Sequence, residues 1–138
     1  MRTPESVLDR YVEAVRTLDQ EAMLALYSPE LRMFDVMAPF ELLGPGEFSK
    51  RLSQWFGEVT ANDPQAIASK VDSKVVGGLA YMAMYMGYYD TDDNGEKRGM
   101  TNRLTWVLVP DGDDWKILHE HTSVPISEDD DMTPVWEP

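Results

Sequence analysis

Asp114-Trp115-Lys116-Ile117-Leu118-His119-Glu120-His121-Thr122-Ser123-Val124-Pro125 is the stretch whose reading decides the fold. With the period of two that a β-strand imposes, Trp115, Ile117, His119, His121 and Ser123 share one face, and Lys116, Leu118, Glu120, Thr122 and Val124 the other. The first face is apolar at its start and titratable at its end. Such a strand suits a sheet that runs from a packed base into a polar-lined mouth. The Trp115 face is assigned to the pocket because it begins with two large hydrophobes. The opposite parity would put Leu118, Glu120 and Thr122 there instead and turn the Trp115 face to a dimer contact.

His119 and His121 are the only histidines. A His-x-His strand points both imidazoles the same way, as chelation needs, but no third ligand is set by spacing. The adopted reading is hydrogen bonding at the pocket mouth, with no metal and no cofactor expected.

Working back from this strand, period two recurs. Gly99 to Val109 places Asn102, Leu104, Trp106 and Leu108 opposite Arg103, Thr105, Val107 and Val109, and Thr91-Asp92-Asp93-Asn94-Gly95 joins it in a hairpin to Leu79–Asp90. That earlier strand carries Met82, Met84, Met86 and Tyr88 on one face and Tyr81, Ala83, Tyr85 and Tyr89 on the other. Before Gly77-Gly78, Ile67, Ser69, Val71, Ser73 and Val75 share a face, while Lys70, Asp72 and Lys74 should meet solvent. Further back the period is helical. Thr3-Pro4-Glu5 has the form of a helix start, and Val7, Leu8, Tyr11, Val12 and Val15 form one stripe with Arg10, Glu13 and Arg16 turned to water. Asp19 caps a second helix through Tyr27. Leu31–Asp35 and Phe40–Leu43 read as short strands. Gly44-Pro45-Gly46 reads as a turn into a third helix with Phe48, Leu52, Trp55 and Phe56 inward. Three helices followed by long antiparallel strands make an α+β domain with the helices on one side of a curved sheet.

At 138 residues the chain fits one domain. We place it over residues 1–126, and read 127–138 as an acidic tail, a mobile extension in which only Val135-Trp136 offers something to dock. The 25 acidic against 12 basic side chains give −13, which repels nucleic acid and anionic membranes and leaves a small hydrophobic molecule as the expected partner. No cysteine is present, so disulfides, thiolate metal sites and cysteine nucleophiles are excluded. The start of the chain is charged from Arg2 and lacks a continuous apolar run, which predicts a cytoplasmic protein without a signal or membrane span. Aromatic residues on both faces of Leu79–Asp90 predict a homodimer formed through the sheet.

Asp35, on the face of Leu31 and Met33, is a candidate general base, since a desolvated carboxylate is a strong proton acceptor. The same residue could instead cap the loop Val36–Pro39. Tyr11 is a candidate hydrogen-bond donor from within the helical stripe. Met84 and Trp106 offer an apolar wall, and Tyr88, Trp55 and Glu120 complete the candidate ligand-binding set.

The order of elements, Phe34-Asp35-Val36-Met37 before Leu43-Gly44, and above all Trp115 to Ser123 resemble the nuclear transport factor 2-like superfamily. The likeness is nearest to its SnoaL-like, ketosteroid-isomerase-homologue group, which includes the association domain of calcium/calmodulin-dependent kinase II, and it covers about residues 4 to 126. This resemblance implies a cone-shaped α+β barrel, three N-terminal helices packed on a curved, mostly antiparallel sheet, with a pocket between them. It implies either proton-transfer chemistry (isomerase, cyclase or lyase) on a hydrophobic or polyketide-like carbonyl compound, or a non-catalytic dimerisation or ligand-sensing module. Arg10-Tyr11-Val12 matches the segment that bears the tyrosine oxyanion donor of ketosteroid isomerases, and Phe34-Asp35 the segment that bears their aspartate base. His119 and His121 would assist. The third group of those enzymes is a protonated acid on the penultimate strand, where this chain has Thr105 or Trp106.

Overall fold

The computed structural model describes residues 2–59 and 62–138. Thr3 caps α1 (Pro4–Thr17) by accepting from Ser6 N, and Pro4 sits in the first turn, where its missing N–H is no loss. Val7, Leu8, Tyr11, Ala14 and Val15 turn inward as their spacing requires. Asp19 caps α2 (Gln20–Leu24). This helix ends before Tyr27, which opens β1 (Tyr27–Phe34) because the adjoining backbone is recruited by another strand: Leu26 O accepts from Ile117 N at 2.9 Å. After the short β2 (Leu42–Leu43), α3 (Gly44–Glu58) starts at Gly44 itself. Pro45 is accommodated in its first turn, and the Glu47 carboxylate accepts from Leu43 N at 3.0 Å, so the expected turn is the helix's own beginning.

The remaining strands are β3 (Asn62–Val76), β4 (Leu79–Thr91), β5 (Lys97–Asp111) and β6 (Asp114–Ser123). They form one curved, unclosed sheet in the order β2-β1-β6-β5-β4-β3. All neighbours are antiparallel except β1 and β6, which run parallel. The α+β class and mostly antiparallel sheet are as expected.

Cross-strand register sorts the inward side chains into rows. The base row is Ala80, Leu108, Ile117 and Tyr27; the next is Met82, Trp106, Glu120 and Met33; then come Met84, Leu104 and Thr122, followed by Met86 with Asn102 and Tyr88 with Met100. The base is hydrocarbon and the later rows turn polar, which is the gradient the last strand suggests. The helices cover this face, with Tyr11 edge-on to Trp106 at 5.3 Å and Phe48 against Tyr27 at 4.6 Å between ring centres. Arg10, expected in water, instead grips Asp114 with both terminal nitrogens, at 3.0 and 2.7 Å, and so ties α1 to the start of β6.

Two bulges break the alternation read from the sequence. On β3 the partners shift between Ser69 and Asp72, with Lys70 at φ 52°, so Ile67 and Val75 fall on opposite faces. On β6 the step from Ile117 to His119 faces the single step from Leu108 to Val107, and Leu118 is the extra residue. The tail is another difference. Rather than extending freely it folds back, with Val135 N bonded to Pro125 O and Thr101 N to Trp136 O, and Trp136 half-buried. No helix is long and apolar enough to cross a membrane among the described residues.

Candidate functional site

The bulge at Leu118 decides which groups enter the cone. Before it Ile117 points inward; after it the inward positions are Glu120 and Thr122, and His119 and His121 face out. Neither parity of an unbroken strand is therefore right. Glu120 is 4% exposed, and its Oε1 accepts from Tyr27 Oη at 2.6 Å and from Trp106 Nε1 at 2.7 Å. Burial pushes its carboxyl up to about 7 against these two donors, with the nearby charge of Asp35 adding to the rise. An acid on a neighbouring strand thus stands beside Trp106, where the penultimate strand itself lacks one.

Asp35 follows β1 directly and does both things read from the sequence: it caps its loop and it lines the cavity. Its Oδ2 accepts from Met37 N at 3.0 Å, and its Oδ1 from Thr122 Oγ1 at 3.2 Å. Thr122 Oγ1 in turn accepts from Val36 N at 2.8 Å, so its hydroxyl both donates to the carboxyl and receives from the loop backbone. Arg51 of α3 approaches Oδ2 at 3.6 Å. The apolar setting expected from Leu31 and Met33 is therefore replaced by three donors.

Tyr11 Oη and Tyr88 Oη lie 2.6 Å apart. Burial first, then neighbouring negative charge, pushes both hydroxyls above the ordinary tyrosine range, so both stay protonated. One hydrogen is taken up in the bond between them and the other is left to donate. These groups, with Phe48, Trp55 and Asn102, line a cavity of about 120 Å³ between α1, α3 and the sheet. Trp55 stands edge-on to Tyr88 at 5.3 Å and forms one wall.

Of the residues singled out from sequence, Asp35, Tyr11, Tyr88, Trp55 and Glu120 meet at this cavity. Met84 and Trp106 do not line it: at 4% and 0% exposure they are core, and Trp106 acts on the site only by holding Glu120. His119 and His121 are a correction. Both pack edge-on to Phe34 on the outer side, at 5.0 and 5.4 Å, and His121 borders an adjoining surface groove of about 570 Å³ beside the exposed Phe40, a groove that Asp35, Val36 and Met37 line as well. Asn102, Arg51 and Tyr27 were not singled out, and Thr122 entered only under the opposite parity of the last strand. Asn102 was legible in principle, being the one amide in the apolar series Leu104, Trp106, Leu108; nothing in the sequence marks Arg51.

Residues 5–127 match the family model of the SnoaL-like domain. An NTF2-like protein of unknown function from Pseudomonas putida KT2440 superposes with a TM-score of 0.83 at 20% identity, over 96% of this chain and 90% of that one. A proposed calcium/calmodulin-dependent protein kinase II association domain from Xanthomonas campestris gives 0.72 at 18% identity, over 86% and 83%. A proposed dehydratase of the NTF2-like family from Streptomyces avermitilis gives 0.73 at 19%, over 86% and 92%. At these identities the likeness shows the fold alone. No curated protein matches the sequence.

Proposed function

This chain belongs to the SnoaL-like domain family, and on that footing we propose that it binds a small carbonyl compound and moves a proton beside the carbonyl, as an isomerase, cyclase or lyase requires. The observation that carries this reading is a pair of carboxyl groups in one cavity with unlike surroundings. Asp35 is held by donors that suit a carboxylate, whereas buried Glu120 sits at about 7 and so holds its proton in weakly acidic solution, up to about neutrality where half is released. Such a pair divides into base and acid. Asp35 would take the proton from the carbon next to the carbonyl. The C–H electrons move into the carbonyl, and the enolate oxygen that forms accepts from the Glu120 acid and the free hydroxyl of the Tyr11–Tyr88 pair. Return of the proton from Asp35 to carbon completes the transfer.

The test is loss of α-hydrogen signal from 2-butanone and from 1-hydroxy-2-butanone in deuterated buffer, followed by proton NMR. Exchange above the buffer rate is expected, absent in Asp35→Asn and declining as pH rises through about 7. Equal exchange with and without the Asp35 carboxylate would sink the reading. One rival has an observation in its favour: at about 120 Å³ the cavity lies below the roughly 300–1,000 Å³ of ordinary ligand sites. A dimerisation or ligand-sensing module without chemistry would show no exchange at all.

The assembly proposed with either reading is a homodimer through the outer face of the sheet. Ile67, Leu79 and Tyr85 lie on that face and are 42%, 48% and 37% exposed in the single chain. A second copy is the economical cover for them.

A further inference from the structure

Asn102 presents an unexplained polar group. It is 4% exposed, it lines the cavity, and its Oδ1 is buried without a hydrogen-bond partner among the described residues. Its row neighbour is Met86, and Leu104 and Met100 flank it on the inward face of β5, so the chain sets a lone amide among hydrocarbon. A buried acceptor left in this way is destabilising, whereas an apolar side chain of the same shape would not be. No side-chain network among the described residues takes up this oxygen. The other acceptors at this site have donors within the protein: Asp35 has Thr122, Met37 N and Arg51, and Glu120 Oε1 has Tyr27 and Trp106, while the free hydrogen of the Tyr11–Tyr88 pair and the Glu120 acid are the donors assigned to the carbonyl.

We infer that Asn102 is a specificity residue, and that its unpartnered Oδ1 accepts from an O–H or N–H of the ligand close to the carbonyl bound by Glu120. The preferred ligand class is then a hydroxy-carbonyl compound and not a plain ketone. This rests on the proposed carbonyl site and narrows it. The size agrees: an apolar cavity of about 150 Å³ takes benzene, so about 120 Å³ admits a compact fragment of that order. The overall charge of −13 and the two carboxyls in the cavity argue in the same direction, for a neutral ligand that donates rather than an anion that accepts. A site built around a ligand hydroxyl discriminates sharply against the analogue without it, because the protein group is again left bare.

The experiment compares 1-hydroxy-2-butanone with 2-butanone, which differ by one hydroxyl, in titrations followed by amide NMR of the full chain. The wild type should bind the hydroxyketone on the order of ten- to a hundredfold more tightly. The Asn102 side-chain amide signals should move with the hydroxyketone and not with the ketone. That second readout uses the unaltered protein, so it holds even if a variant folds poorly. Asn102→Leu should abolish the preference by weakening only the hydroxyketone, and without ligand should melt no lower than wild type. Equal binding of the two ketones, as when Asn102 merely holds a trapped water, overturns the inference, as does a clearly lowered melting point in Asn102→Leu, which would make the amide structural. Asp35-dependent exchange of both ketones with no preference would refute the role of Asn102 and leave the carbonyl site standing. Binding of neither would remove both.

Discussion

Replacing Glu120 by glutamine should make the protein more stable above neutral pH and leave it unchanged in acid. Glutamine keeps the oxygen that accepts from Tyr27 and Trp106, and its neutral NH2 takes the place of the second carboxyl oxygen. Only the capacity to ionise is lost. The carboxyl sits at about 7 in the folded chain against an ordinary 4.5, because burial opposes its charge. Below pH 4.5 the group is protonated folded and unfolded, and contributes no difference. As pH rises from there, the unfolded chain releases a proton that the folded chain retains, so stability falls; above about 7 both states are ionised and the loss stays constant. At roughly 1.4 kcal/mol per pH unit, the wild type ends about 3 kcal/mol below its acid-side level.

For a domain of 138 residues this is roughly 10 °C in Tm. Thermal melts of both proteins at about pH 4 and pH 8.5, at one ionic strength, read it directly. The other carboxylates and the net charge act on the two proteins alike, so the difference isolates Glu120. Glu120→Gln should lie close to wild type at the lower pH and well above it at the higher. A gap that does not change with pH, or a variant less stable than wild type at pH 8.5, would refute the reasoning. Carboxyl carbon NMR of Glu120 supplies the independent check, with a midpoint near 7.

Asp35→Asn keeps an acceptor for Thr122 or Met37 N and loses the partly exposed pair with Arg51; urea melts should show a cost of about 1 kcal/mol or less while exchange of the ketones disappears. Asp114→Ala should cost about 1 kcal/mol, because its paired bonds from Arg10 join α1 to β6. Those bonds hold the Asp114 carboxyl below its usual 3.8, so this contribution is present above that pH and is lost as pH falls through the lowered value; the gap between wild type and variant should close in acid melts. Sedimentation at tens of micromolar should give a dimer, with an interface of roughly 1,000 Å² or more, and Tyr85→Glu on the outer face should yield monomer.

What the sequence tells about this site is bounded by one residue. Helix stripes and strand alternation are local, so α1, the inward row of β4 and the polarity gradient of the last strand could be read before any coordinates. Period two holds only while the pairing is regular, and Leu118 breaks it through a demand made by β5 that leaves no mark in β6's own composition. That single insertion turns two imidazoles outward and brings a carboxyl and a hydroxyl in, so Glu120 lines the cavity and Thr122 bonds to Asp35 where the sequence suggested His119 and His121. Long-range pairing hid other features as well: Arg10 looked solvent-facing until Asp114 was found opposite it, and the acidic tail looked free until Thr101 took Trp136 O. Glu120 itself depends on the same long-range pairing. Its cost is kept near 3 kcal/mol by Tyr27 and Trp106, and both are positioned by strand pairings to either side of β6, so the bulge that admits the acid also brings it within reach of its two donors.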